Sequence, residues 1–234
     1  MPELIVALDF ASQARALAMV DLLDEAADFY KVGLELYTRS GPGVVRELSR
    51  RDKRVFLDLK LHDIPNTVSG AVRAATDLGV ELLTIHVAGG GRMMRVAAEA
   101  AEGRVALLGV TLLTSLSSGD VEDMWGRPIS SLRKQVVRLA TLSQENGLDG
   151  VVASPQEVQA LRRRLGKEFL VVTPGIRLPG VDVNDQARVA TPSEAAGAGA
   201  SHLVLGRTVT AAADPAAALE KVRRSLEPAG KSGA

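Results

Sequence analysis

A chain of 234 residues with 46% hydrophobic and 24% charged residues has the size and composition of one globular domain, which excludes disordered and fibrous classes. The absence of cysteine removes disulfide scaffolds, thiolate-held metals and thiol nucleophiles, and leaves any chemistry to oxygen and nitrogen groups. Lys plus Arg and Asp plus Glu balance at 28 each, so no global field draws nucleic acid or an anionic membrane, and the expected partner is a small molecule.

The N-terminus, Met1-Pro2-Glu3-Leu4-Ile5-Val6, opens without a basic leader. No apolar run reaches the roughly 20 residues that span a bilayer, so a cytoplasmic location is expected. A first strand is predicted at 4–9, followed by a helix that Ser12 caps and that carries Ala16, Met19, Val20 and Leu23 on one stripe. Further Val-, Ile- and Leu-rich runs predict strands at 29–36, 54–61, 82–87, 105–113, 150–154, 169–176 and 202–207, each followed by a stretch with helical spacing. The longest helical candidate, 129–146, stops at Gly147, while Ser154-Pro155, Thr191-Pro192 and Asp214-Pro215 each set a cap residue before a proline at the first helical position.

Near-continuous apolar strands are buried on both faces, so the sheet is parallel and covered by helices. Eight βα repeats in a length close to the typical ~250 residues favour a closed (β/α)₈ TIM barrel over an open doubly wound sheet. Residues 1–227 are read as this single catalytic domain, and 228–234, rich in Gly, Lys and Ser, as a disordered tail. Two long connections, 115–128 and 177–186, fall on the C-terminal rim, where barrel loops bind ligands.

The run Val55-Phe56-Leu57-Asp58-Leu59-Lys60-Leu61-His62-Asp63-Ile64-Pro65-Asn66-Thr67 puts charges where an apolar strand should be. At a strand period of two, Leu57, Leu59 and Leu61 share one face and Asp58 and Lys60 the other. With the leucines under the helices, both charges point into the barrel mouth, where an unpaired ion is costly. Asp63 either caps the next helix or leans over the same mouth. Asp9, which follows Ile5 and Ala7 on the first strand, and Lys31 on the second arrive at the same rim. Asp9, Lys31, Asp58, Lys60 and Asp63 thus alternate in sign, and such clusters mark functional sites more often than structural ion pairs.

On the far side, Leu205-Gly206-Arg207-Thr208 ends the eighth strand and Thr173-Pro174-Gly175-Ile176-Arg177 the seventh, the place where barrels often hold phosphate. Glycine admits backbone N–H groups to an anion and Arg177 or Arg207 can fork onto its oxygens, with Gln186 at the end of the Arg177 loop. His86, His62 and His202 read as core or surface residues rather than bases. Gly89-Gly90-Gly91 lacks the G-x-G-x-x-G spacing of a dinucleotide site. Trp125 reads equally as a packing plug or a stacking surface, and the hydroxyls of Thr111-Leu112-Leu113-Thr114-Ser115 as ligand contacts or turn caps.

The string Asp58-Leu59-Lys60-Leu61-His62-Asp63-Ile64-Pro65-Asn66-Thr67, with Ala7-Leu8-Asp9, Lys31-Val32-Gly33, Thr173-Pro174-Gly175-Ile176-Arg177 and Gly206-Arg207, resembles the orotidine 5′-phosphate decarboxylase family. The resemblance runs from the first strand to the eighth. It implies a (β/α)₈ barrel that converts orotidine 5′-monophosphate to UMP and carbon dioxide at the end of pyrimidine synthesis, with no metal and no organic cofactor. It implies Lys60 as proton donor to C6, with Asp58, Lys31 and Asp63 completing the charged array. It also implies Asp9 and Lys31 on the ribose, Thr114 and Ser115 on the pyrimidine, and Arg177, Gln186, Gly206 and Arg207 at the phosphate. A homodimer is implied in which Asp63 and Thr67 serve the partner subunit's site. The alternatives are a magnesium-dependent sugar-phosphate aldolase or decarboxylase of the same superfamily, such as a hexulose phosphate synthase, and a non-catalytic phosphosugar-binding barrel. Those magnesium enzymes carry an acidic metal ligand where Lys31 stands here.

Overall fold

The Val-, Ile- and Leu-rich runs close into a barrel. The computed structural model describes residues 1–178 and 189–227, and among them lie eight strands and eleven α-helices. The strands β1 (Glu3–Ala7), β2 (Phe29–Gly33), β3 (Arg54–Leu61), β4 (Leu82–His86), β5 (Ala106–Val110), β6 (Gly150–Val152), β7 (Leu170–Thr173) and β8 (His202–Leu205) pair in parallel in chain order, and β8 closes on β1. The open doubly wound alternative is thereby excluded. Among the described residues no helix is long and apolar enough to cross a membrane.

Local chemistry sets the helices where the sequence marks them. Ser12 caps α1 (Gln13–Leu23), whose Ala16, Val20 and Leu23 are buried. After α2 (Leu34–Ser40), α3 (Gly43–Arg50), α4 (Pro65–Asp77) and α5 (Gly90–Ala101) comes a departure from expectation. The connection 115–128 is not simply a loop: it contains α6 (Ser118–Trp125), because Ser117 and Asp120 satisfy each other's backbone N–H groups in a capping box. Trp125 at its end packs against the core, with the Arg127 guanidinium 5.3 Å from its ring centre. The long α7 (Leu132–Glu145) stops one residue before Asn146, and Gly147 follows at φ +83°. Ser154, Thr191 and Asp214 cap α8 (Pro155–Leu165), α9 (Pro192–Ala198) and α11 (Pro215–Leu226), each with proline in the first turn.

Several strands are shorter than their apolar runs. The 29–36 run ends at Gly33, and Leu34 begins α2. The 202–207 run ends at Leu205, and Arg207 opens the one-turn α10 (Arg207–Thr210). Apolar content marks burial rather than strand geometry: buried Leu36 on α2 and Val209 on α10 continue the core beyond the strand ends. Residues 228–234 and most of the 177–186 connection lie outside the described residues.

Two apolar layers result. Ile5, Ala7, Phe29, Phe56, Leu82, Leu108, Val172 and Val204 fill the barrel interior, and the alternate strand residues join a larger cluster under the helices. Each fully buried large side chain contributes about 1.5–3 kcal/mol. The N-terminal end is sealed by charge as well as by volume. The Arg54 guanidinium lies 4.2 Å from the Phe29 ring centre and pairs with Glu3 and Glu81, while buried His202 meets the same ring edge-on at 6.2 Å. The opposite end stays open.

Burial holds the His202 imidazole below its ordinary pKa of 6.5, and it outweighs the opposing pull of Glu3. Unfolded His202 therefore takes up a proton below about pH 6.5 while the folded residue stays neutral, so stability is full above that pH and falls as pH drops toward the lowered folded value. Thermal unfolding followed by circular dichroism is expected to show a lower midpoint at pH 5.5 than at pH 7.5, with a smaller difference in His202→Gln. An equal difference in both proteins would contradict this account.

Candidate active site

At the C-terminal end of the strands a cavity of about 440 Å³ opens, lined by Asp9, Lys31, Asp58, Lys60, Thr114, Arg177, Gly206 and Arg207 among others. Barrel topology brings these residues together from strand ends far apart in sequence. Phe56 and Val204 form apolar floor beneath the polar groups, with Val110 and Val152 alongside.

The charged half is a chain of alternating sign. Asp9 Oδ1 lies 2.8 Å from Lys31 Nζ, which lies 3.7 Å from Asp58 Oδ2; Asp58 Oδ1 lies 2.8 Å from Lys60 Nζ. The Lys31 and Asp58 side chains are only 12% and 13% exposed, whereas Asp9 is 63% exposed at the rim. Gly33 leaves room for the first pair, since a Cβ there would stand 3.0 Å from Lys31 Nζ and 3.3 Å from Asp9 Oδ1. Burial pushes the Asp58 carboxyl up, but Lys31 and Lys60, with hydrogen bonds from Lys60 and Thr84, outweigh it and hold Asp58 below the usual carboxylate range.

Lys60 reaches the mouth as expected, but not from an unbroken pleat: its φ is +52°, and the pairing of β3 with β4 shifts register between Leu57 and Leu61. Asp63 does not join the array within the chain. Beyond Leu61 the backbone turns outward, Asp63 is exposed, and its Oδ1 accepts from the Ile64 N–H at 2.6 Å at the start of α4. The expected five-charge network is therefore four charges in one chain. Thr67 on α4 is exposed and does not line the cavity, and neither does exposed Ser115, which lies past the bend after β5. Gln186 lies outside the described residues.

Opposite the charges stand the ends of β7 and β8. Arg177 is 8% exposed, and its Nη1 donates to the Ile176 carbonyl at 2.9 Å, an oxygen that also accepts from Thr208 Oγ1 at 2.9 Å. Arg207 is exposed at the start of α10, beside Gly206, and both line the cavity. Pro174 and Gly175, the latter at φ +81°, complete this wall, and they belong to the Thr173-to-Arg177 motif without having been singled out. Thr84 was also passed over as a functional residue. A hydroxyl in the apolar run Leu82-Leu83-Thr84-Ile85-His86, on the inward face, was the signal that could have found it.

A family model described as orotidine 5′-phosphate decarboxylase / HUMPS family matches residues 2–222. The chain belongs to this family. It is 50% identical over 228 residues to the orotidine 5′-phosphate decarboxylase of Vibrio campbellii, covering 96% of this chain and 97% of that one. It is 50% identical over 234 residues to the enzyme of the same name from Halorhodospira halophila, covering 98% of each. Among solved structures, the crystal structure of orotidine 5′-phosphate decarboxylase from Lactobacillus acidophilus superposes with a TM-score of 0.87 at 36% identity, over 97% of this chain and all of that one. The barrel seen here is thus the fold of that solved structure as well.

Removing the shared carboxylate tests how far the array holds itself together. Asp58→Asn leaves Lys60 without its carboxylate and Lys31 with only the exposed Asp9, and is expected to lower unfolding free energy by about 1–3 kcal/mol, less than for a fully buried pair because Lys60 is partly solvated. This stabilisation is present above the ordinary carboxylate pKa and disappears as pH falls through the lowered value of folded Asp58. Urea titrations at pH 7 check it; superimposable curves for the two proteins would contradict it.

Proposed function

We propose that this chain decarboxylates orotidine 5′-monophosphate to UMP and carbon dioxide, the last step of UMP synthesis, with Lys60 as proton donor and without metal or organic cofactor. The observation that carries the reading is the Lys60–Asp58 pair, 2.8 Å apart, in a cavity whose opposite wall bears Arg177, Gly206 and Arg207. Orotidine 5′-monophosphate has matching ends: a phosphate dianion for the arginines and a pyrimidine carboxylate for the ammonium. The cavity's volume of about 440 Å³ suits one small ligand.

The chemistry follows from where the electrons go. When the C6–carboxylate bond breaks, carbon dioxide leaves and its bonding pair stays on C6 in the plane of the ring, where the π system cannot delocalise it. The Lys60 ammonium stabilises that charge and then transfers its proton to C6, forming the new C–H bond and leaving a neutral amine that solvent reprotonates. Asp58 holds the ammonium in place before the reaction begins, and we credit this preorganised charge above any repulsion between Asp58 and the departing carboxylate. Asp9 and Lys31 take the ribose hydroxyls, and Thr114, which lines the cavity, the pyrimidine. Arg177, Gln186, Gly206 and Arg207 take the phosphate, so that remote binding energy is expressed at C6.

The magnesium-dependent branch of the superfamily is disfavoured by Lys31. Its ammonium lies 3.7 Å from Asp58 Oδ2, where a divalent cation would meet a positive charge in place of an oxygen ligand. The chain functions as a homodimer in this reading, Asp63 and Thr67 serving the partner's cavity. Their exposure, together with that of Ile64 at 67%, supports a contact at this face. A reducing cytoplasm suits a protein without cysteine.

Lys60→Ala is expected to abolish the absorbance change of orotidine 5′-monophosphate in metal-free buffer containing EDTA, while the wild-type protein turns over and both give the same circular dichroism spectrum. Near-normal turnover by the variant would remove Lys60 from the proton-donor role, and loss of wild-type activity on chelation would favour the aldolase branch. Arg207→Ala is expected to raise KM for the nucleotide on the order of 10- to 100-fold, the worth of a charge-assisted hydrogen bond to phosphate. Equal inhibition of the two proteins by UMP would contradict the phosphate assignment.

A further inference from the structure

The bulge in β3 lies directly opposite one buried hydroxyl. The pairing runs Leu57↔Leu83 and then Leu61↔Ile85, so β3 spends four residue steps where β4 spends two. Asp58, Leu59 and Lys60 therefore face a single residue, Thr84. Extra residues in a bulge lose their ladder partners, and their N–H groups need other acceptors. Lys60 is moreover at φ +52°, a left-handed conformation that a residue with a Cβ adopts only where its surroundings hold it.

Thr84 supplies what the bulge lacks. Its Oγ1 accepts from the Lys60 backbone N–H at 2.9 Å and donates to Asp58 Oδ1 at 2.9 Å, the same oxygen that Lys60 Nζ meets at 2.8 Å. The side chain is fully buried, and its β-branched χ1 leaves the hydroxyl little freedom. One oxygen thus ties the backbone of the lysine to the carboxylate that holds its ammonium. The groups converging on that carboxylate are Lys31 from β2, Lys60 from β3 and Thr84 from β4.

We propose that Thr84 is a positioning residue for Lys60: its hydroxyl fixes the left-handed backbone at the bulge and the orientation of Asp58, and so aims the Lys60 ammonium at the reacting carbon. The proposal rests on the decarboxylase reading for its kinetic consequence, but not for its geometric one. Proton delivery is sensitive to small displacements of the donor, whereas nucleotide affinity comes from the far wall of the cavity, so the two should separate on loss of the hydroxyl.

Thr84→Val keeps the shape and removes the hydroxyl. It is expected to lower kcat on the order of 10- to 100-fold while KM for orotidine 5′-monophosphate changes by less than about 3-fold, and Thr84→Ser is expected to restore kcat to within about 3-fold of wild type. Unchanged kcat in Thr84→Val, or a Ser variant as impaired as the Val variant, would overturn the proposal. If Thr84→Val does not accumulate as folded protein, Thr84→Ala carries the same comparison. A crystal structure of the folded hydroxyl-free variant gives a readout without activity: Lys60 leaving its left-handed backbone or its contact with Asp58 supports the proposal, and an unmoved Lys60 overturns it. Failure of the wild-type protein to decarboxylate the nucleotide would instead overturn the functional reading and leave this structural test standing.

Discussion

One carboxylate organises the open end of this barrel. Asp58 receives Lys60 on one oxygen and Lys31 near the other, and Lys31 passes the sequence of charges on to Asp9 at the rim. Taking Asp58 out of water is unfavourable alone, as is crowding two ammonium groups into a cavity floored by Phe56 and Val204. Together the costs offset each other, because Lys31, Asp58 and Lys60 each have an opposite charge within 4 Å. The result is an ammonium held ready in a partly dry place, the electrostatic condition for stabilising a carbanion.

The strand that carries this ammonium departs from a regular pleat. A regular pleat would send Lys60 into the mouth but would leave its backbone in the ladder with β4. Instead two extra residues are accommodated between Leu57 and Leu61, and the chain turns away at His62 toward α4. The same departure explains why Asp63, only three residues on, faces outward: a strand that has bulged and ended can no longer deliver its next carboxylate to the cavity. Asp63 and Thr67 thus become surface groups of this chain.

How much was legible beforehand follows from these particulars. Eight βα repeats and the proline-marked caps at Ser154, Thr191 and Asp214 gave the closed barrel and the helix starts, because cap chemistry is local. Period two at Asp58 and Lys60 gave two charges in one mouth, and Asp9 and Lys31 followed from their places at neighbouring strand ends. Helix α6 was hidden because its Ser117–Asp120 capping box lies in a polar stretch with only Val121 buried, too weak an apolar stripe to read. The bulge was hidden for a different reason. A left-handed lysine has no sequence signature, since the usual marker of positive φ is glycine, and only the partner strand reveals that Thr84 stands opposite three residues.

The two ends of the barrel show why charge alone does not mark a site. At the N-terminal end Arg54 is stacked on Phe29 and held by Glu3 and Glu81, and these contacts push its pKa up from an already high value. There the guanidinium is shared between those carboxylates and an aromatic ring, and the cluster caps the barrel's apolar interior. At the C-terminal end the lysines sit at the edge of a cavity, each paired among the described residues with carboxylates and with room beside them for a ligand of about nucleotide size. An ammonium has three donors, and a single carboxylate oxygen at 2.8 Å occupies one of those on Lys60. The capacity that remains, aimed into a space whose far wall carries arginines, separates a reactive array from a structural one. The difference between the two ends lies in where the charges stand relative to open space rather than in how many there are.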